Sequence, residues 1–270
     1  MPTRLSKPEY ARFAKSPIKC PKSTVRIASL ADYFAIIDSA IKGDDVFWFR
    51  GNSSIEYSLT PSALRYLREP DRQRALSLLP EFKRVAEMKL PRPPHPTEEL
   101  RWVQLAQHYG LPTRLLDWTE SATTALYFAC AELTKDGFVL VLNPVALNRL
   151  SFPLKPRIMD PQADANIISA YLRLGPKKAR KGRLPIAINP VWNSDRLMVQ
   201  KGMFTLHGSK FDLDDAKTPS LVALPILKET KPQLRRELQR VGVDEMTMFP
   251  ELEHSCIHLK RKAGLITGGE

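Results

Sequence analysis

An arginine closes one of the most apolar stretches of this sequence, and it needs an anion. Val46-Phe47-Trp48-Phe49-Arg50-Gly51 is short and aromatic, and a guanidinium carried into such surroundings is costly unless a carboxylate or phosphate meets its fork. A salt bridge to a core acid such as Asp117 would satisfy it, and so would the phosphate or diphosphate of a ligand. A second concentration of chemistry runs from Gln107 to Thr119, a polar and aromatic tract between two helical patterns. In it His108 can change charge near neutral pH, Arg114 and Asp117 stand three apart, and Tyr109 and Trp118 offer flat faces to a planar ring. The alternative is a self-satisfied polar network that only fixes the loop. Thr119, Ser121, Thr123 and Thr124 gather hydroxyls where a helix begins, an end that favours anions but also needs ordinary capping. Gln200, the one uncharged polar side chain before Gly202, can donate and accept at once.

The elements that must position these residues follow from periodicity. Ile27, Leu30, Phe34, Ile37 and Ile41 recur at helical spacing and stop at Gly43. The aromatic run 46–51 predicts a buried strand with Arg50 at its end. Helices are expected over 71–88 and 97–108, separated by the rigid, donor-poor connection Leu90 to Pro96. After the turn at Gly110-Leu111-Pro112, Gln107–Thr119 reads as a loop, with a helix over 121–133 and a strand over 138–142. Further on, a helix at 163–173, a basic loop Lys177–Arg183, strands at 185–188, 195–206 and 220–227, and helices at 231–241 and 250–261 complete the reading. Residues 1–26 carry seven Lys and Arg among prolines with weak apolar periodicity, and are expected to be a mobile or partner-ordered basic arm. Residues 27–270 show no internal repeat, so a single decorated α+β domain is expected.

The whole-chain chemistry narrows the classes. Forty-one Lys and Arg against 29 Asp and Glu give +12, which points to a polyanion, either nucleic acid or an acidic protein. No long apolar run or hydrophobic leader is present, so neither a membrane partner nor secretion is expected and the cytoplasm is the expected location. Cys20, Cys130 and Cys256 are few and scattered, which argues against disulfides and structural zinc. His254, Cys256 and His258 do not complete a four-ligand set, so no metal is expected. The absence of P-loop, GxGxxG, HExxH and GxSxG motifs removes the commonest NTPase, dehydrogenase, metalloprotease and hydrolase readings.

The Phe49-Arg50-Gly51 signature, the block QHYGLPTRLLDWTESATTALYFA at 107–129, QKGMFT at 200–205 and FPEL at 249–252 together resemble the FRG domain family over residues 28–261. More distantly, an arginine on an early strand, a hydroxyl segment running into a helix and a late strand with one key polar residue resemble ADP-ribosyltransferases of the Arg-Ser-Glu type. That resemblance implies a mixed, split β-sheet core flanked by helices, with NAD as substrate and no metal. It implies that Arg50 clamps the diphosphate and that Thr119 and Ser121 line the ribose. Tyr109 or Trp118 would stack on nicotinamide, Arg114 would join the cofactor site, and Gln200 would stand in the place of the family's glutamate. An amide stabilises developing positive charge poorly, so either another acid such as Asp117 supplies the charge, or His108 takes the acceptor's proton, or NAD is bound without being transferred. Given the charge of +12, a nucleic-acid acceptor, RNA or DNA, is expected over a protein one. The resemblance also suggests a toxin of a toxin–antitoxin or phage-defence system, neutralised by an acidic antitoxin. The alternatives are a non-catalytic nucleotide-sensing or nucleic-acid-binding module and a hydrolase of NAD or nucleic acid.

Overall fold

The structure, a computed structural model, describes residues 4–14, 16–18, 25–41, 45–173, 184–192, 194–208, 213 and 221–265. In chain order the elements are α1 (Lys7–Phe13), α2 (Leu30–Ala40), β1 (Trp48–Asn52), α3 (Glu69–Lys89), α4 (Glu99–His108), β2 (Leu115–Thr119), α5 (Ala122–Ala129) and β3 (Gly137–Leu142). They continue as α6 (Pro144–Arg149), α7 (Ala165–Leu172), β4 (Ile186–Ile188), α8 (Asp195–Val199), β5 (Gly202–Leu206), β6 (Leu221–Ile226), α9 (Lys231–Arg240), α10 (Glu245–Met248) and α11 (Leu252–Lys262). The α+β class is as expected. The sheet corrects one part of the expectation: its six strands, in order β4-β5-β2-β1-β3-β6, pair antiparallel along every ladder rather than forming a mixed sheet.

Side chains alternate across a pleated sheet, so the register assigns each face. Phe49, Val139, Val141, Leu224 and Ile226 point to one face and meet Tyr33 and Ile37 of α2, Leu126 of α5 and Leu234 of α9. Leu115, Phe204, Leu206, Ile186 and Ile188 share that face on the other half of the sheet, beneath Val103 of α4 and Ile168 of α7. The opposite face, with Trp48, Leu140, Leu116, Trp118 and Met203, is covered by Phe13 of α1, Ile18, Leu59 and Leu147 of α6. Two groups of helices therefore sit side by side on one face, and a cleft opens between them. Beneath it β1 and β2 pair at a single position, Phe49 opposite Thr119.

Three local expectations are corrected. Leu115–Thr119 is a strand, not loop: every side chain but Asp117 is buried, so both faces being covered erased the alternation that marks a strand. Residues 195–199 form the short helix α8 instead of the start of a strand, opened by Ser194, whose hydroxyl accepts from the Leu197 amide. Five residues are too few to show a helical period. The basic arm, where it is described, is docked. Ser6 closes a capping box with Glu9, Phe13 and Ile18 are buried, and Arg12 is paired with both Asp136 and Glu229. The prolines hid this helix because one of them, Pro8, stands in its first turn, where no donor is lost. Lys15, Lys19, Lys22 and the Lys177–Arg183 loop lie outside the described residues.

One buried cation ties the first half of the fold to the last. Lys231 at the start of α9 is fully buried, and its ammonium donates to the carbonyls of Ser53 and Glu132 at 2.8 Å each. Burial pulls its pKa from 10.5 down to about 8. Between those values the unfolded chain holds a proton that the folded chain has released, so folding stability rises with pH across this window and is lost as pH falls through about 8. Urea melts of the wild type are expected to gain about 1 kcal/mol between about pH 8 and pH 9. The range stops there because burial pushes the Cys130 thiol to about 12, which gives the opposite slope above its ordinary value of 9.0. Lys231→Met removes the gain, and a Lys231→Met slope equal to the wild type would show that Lys231 is not its source.

Candidate functional site

The cleft between the two helical groups has a volume of about 330 Å³. Its floor is the sheet at Phe49, Arg50, Gly51, Asp117, Thr119 and Phe204. One wall is α4 with Gln104, Gln107 and His108, the second is α5 with Thr124 and Phe128, and α8 closes the third with Arg196, Leu197 and Gln200. Residues 50, 117 and 200, far apart in the chain, thus line one cavity.

Arg50 reaches from β1 toward β2 where their pairing stops, and its Nη1 donates to the main-chain oxygen of Asp117 at 2.6 Å. Its Nε is buried and has no partner. No carboxylate lies within ion-pair reach of it among the described residues. Burial pulls its pKa below the ordinary value, the Asp117 charge works against this, and the neighbouring Arg65 adds to it. The salt bridge to Asp117 that would have satisfied Arg50 structurally is therefore not made. The carboxylate of Asp117 instead accepts from Gln107 Nε2 at 2.6 Å, and Gln107 Oε1 in turn accepts from the Thr113 hydroxyl. This chain of three fixes the carboxylate at the cleft floor without a cation to neutralise it.

Thr119 is buried, donates to the Gln200 carbonyl at 2.6 Å and accepts from the Ser121 amide at 2.9 Å. It staples the end of β2 to the end of α8. Gln200 is the C-cap of α8 rather than a strand residue, and its side-chain nitrogen donates to the Met248 carbonyl at 2.9 Å. The next residue, Lys201, has φ 47, a left-handed conformation that a non-glycine residue adopts at a cost of about 1 kcal/mol. That turn is what brings α8 back over the sheet. His108 ends α4 at the cleft mouth, where burial first and the Arg196 charge second hold its pKa below the ordinary imidazole value, against a smaller opposing effect of Glu251. Its ring is neutral at pH 7 and can take up a proton.

Three expected site residues go elsewhere, and a fourth, Trp118, lines the cleft without presenting its ring to it. The Trp118 indole is buried in the core of the opposite face, where its N–H donates to Thr205 Oγ1 at 3.0 Å. Arg114 stands three residues before Asp117 and is buried away from the cleft, its Nη1 donating to the Gly208 carbonyl at 2.6 Å. Burial takes its pKa down to about 10. Ser121 caps α5 by accepting from the Thr124 amide at 3.2 Å, and Thr124 lines the cleft in its place. Tyr109 is 61% exposed and faces a neighbouring pocket. Of the residues not singled out from sequence, Gln104 precedes Gln107 and His108 at i, i+3 and i+4, a spacing that puts three polar side chains on one helical face and could have marked it. Arg196 carried no such signal. Its guanidinium lies 4.6 Å from the centre of the Phe249 ring, and that ring stacks on His254 at 4.3 Å. This accounts for the first residue of the FPEL segment and places His254 in an aromatic stack.

The chain thus combines an antiparallel sheet of the α+β class with a cleft over a strand junction that is paired at a single position, and Arg50 lines that cleft. Residues 45–137 match the model of the FRG domain family. The matched segment supplies β1, α4, β2 and α5, while the α8 wall with Arg196 and Gln200 lies beyond it. Searches of the curated proteins and of the solved structures find no match to this chain.

Proposed function

We propose that the cleft is the active site of an ADP-ribosyltransferase-like enzyme that takes NAD and modifies a macromolecule, nucleic acid being favoured by the charge of +12. The observation that carries this reading is Arg50, which lines the cavity with a buried, unpartnered Nε and, among the described residues, no carboxylate in ion-pair reach. A diphosphate is the anion whose oxygens fit such a fork. The parting of β1 and β2 beneath it agrees with the split sheet that the resemblance implies.

In the reaction the bond between ribose C1′ and nicotinamide breaks, its electron pair leaves with nicotinamide, and the acceptor's nucleophile forms the new bond to C1′. Asp117, held by Gln107 and in no ion pair among the described residues, supplies negative charge to the sugar as positive charge develops there. His108, neutral at pH 7, accepts the proton released by the acceptor. Thr119 and Gln200 hold the wall of the ribose pocket together. The second reading, a nucleotide-sensing module without catalysis, is favoured by one contact: the Gln200 amide is already committed to Met248.

Incubation with labelled NAD and separate pools of RNA, DNA and protein tests the proposal. Uptake of label into one pool with matching release of nicotinamide is the expected result. Nicotinamide released without uptake would make the protein a hydrolase, and NAD bound without release would make it a sensor. Because the His108 pKa is held below the ordinary 6.5, the rate should stay flat from neutral pH down past that value and fall only when the ring protonates. His108→Gln should remove this acid limb. A limb that persists unchanged in His108→Gln assigns it to another group.

A further inference from the structure

A second pocket of about 440 Å³ adjoins the cleft, and His108, Ser194 and Arg196 line both. It holds three kinds of group that the cleft does not use. Tyr109 presents an aromatic ring that is 61% exposed, braced by Phe82 at 6.2 Å and by the edge contact with His108 at 5.1 Å. Glu251 has a buried Oε2 with no hydrogen-bond partner. Arg92 and Arg196 make no ion pair among the described residues, whereas Arg101, also in the lining, is bonded to Glu98. Asp195 is the other acid of the pocket.

We propose that this outer pocket binds the adenosine half of a dinucleotide, with the base against Tyr109, the ribose diol on Glu251 and the phosphate beside Arg196. Each assignment follows from chemistry. A base stacks on any exposed aromatic face. A carboxylate with an unmet acceptor oxygen accepts from vicinal hydroxyls. An arginine that lines both cavities meets the phosphates that join two nucleoside halves, and it supplements Arg50 from the opposite side. The cleft alone lies near the lower end of the range of small-molecule sites, about 300–1,000 Å³, which suits one nucleoside. With the outer pocket beside it there is room for two. The inference deepens the NAD reading of the cleft and rests on it.

The test uses adenosine 5′-monophosphate as the probe, titrated by calorimetry into the full chain. Wild type is expected to bind it, and Tyr109→Ala is expected to weaken binding about tenfold through lost stacking. In Glu251→Gln, the preference for the ribonucleotide over its 2′,3′-dideoxy analogue should collapse, a readout that general damage to the fold would not produce. Arg50→Met should lower NAD affinity more than monophosphate affinity, because Arg50 lines the cleft and not the outer pocket. NAD competing with the monophosphate, with competition weakened by Tyr109→Ala, supports one dinucleotide spanning both cavities. No binding of the monophosphate, or binding indifferent to Tyr109 and Glu251, overturns the proposal. Displacement by a single-stranded oligonucleotide and not by NAD also overturns it and assigns the pocket to an acceptor strand. Monophosphate bound as described, with no nicotinamide released from NAD, would instead retire the catalytic reading of the cleft and leave this site standing.

Discussion

Replacing Arg50 by methionine is expected to lower NAD-dependent labelling by about 10²-fold or more while leaving the thermal stability within about 1 kcal/mol of the wild type or above it. The two halves of that result belong together. A structural arginine in an ion pair stabilises the fold, and deleting one partner of a buried pair costs about 3–5 kcal/mol because the other charge is stranded. Among the described residues Arg50 has no such partner to strand. It donates to a main-chain oxygen, its Nε is unsatisfied and burial already opposes its charge. The folded state therefore carries an unmet cation whose removal relieves desolvation as it breaks one contact. Arg50→Lys, which keeps charge without the fork, should retain stability and still lose most NAD affinity. Calorimetric melts with and without NAD check both at once, since a ligand that binds only the native state raises its melting temperature. A methionine variant that is several kcal/mol less stable and still labels its acceptor would make Arg50 a structural residue.

Gly51→Ala should be the most destabilising single-methyl change at any glycine of the cleft, at about 3 kcal/mol or more. A Cβ at this position would come 1.9 Å from the Ala125 carbonyl, 2.5 Å from the Ala129 amide and 2.9 Å from the Phe128 Cβ. Two of these atoms are main chain, so no side-chain rotation relieves the clash and α5 must lift away from β1. That helix brings Thr124 and Phe128 to the cleft, so activity is expected to fall further than the unfolded fraction alone explains. Gly110→Ala is the control. Its φ of 84 strains any side chain by about 1 kcal/mol, but nothing lies within 4 Å of the added carbon. Urea melts that rank Gly110→Ala as the more damaging of the two would refute the close-approach account of Gly51.

The Phe49-Arg50-Gly51 signature thus separates into three physical requirements. Phe49 joins the core under α5 and α2, Arg50 supplies the unmet cation, and Gly51 lets a helix lie directly on the strand. Only the second was legible as chemistry from residue type and position. The need for glycine depends on α5, which arrives some seventy residues later in the chain.

Periodicity and composition were enough to locate most helices, the strands over 138–142, 185–188 and 220–227, and the clustering of polar groups at 107–119, because each of these is a local property of the chain. They were also enough to raise Arg50 and Asp117 as the charges in need of an explanation. Local patterns misread Leu115–Thr119 as loop, since a strand covered on both faces has no alternation, and 195–199 as strand, since a five-residue helix shows no period. Which charges meet was decided by the tertiary structure alone. Antiparallel pairing of β2 with β5 sets Asp117 opposite Phe204 and carries Thr119 to the end of α8. The single β1–β2 pair leaves room for the Arg50 side chain, and Gln107 takes the carboxylate that would have neutralised it. Pairing, burial and the filling of a gap depend on residues distant in sequence, so they exist only once the sheet has closed, and the same event sends Arg114 away from the cleft it was expected to line and turns the Trp118 indole into the core.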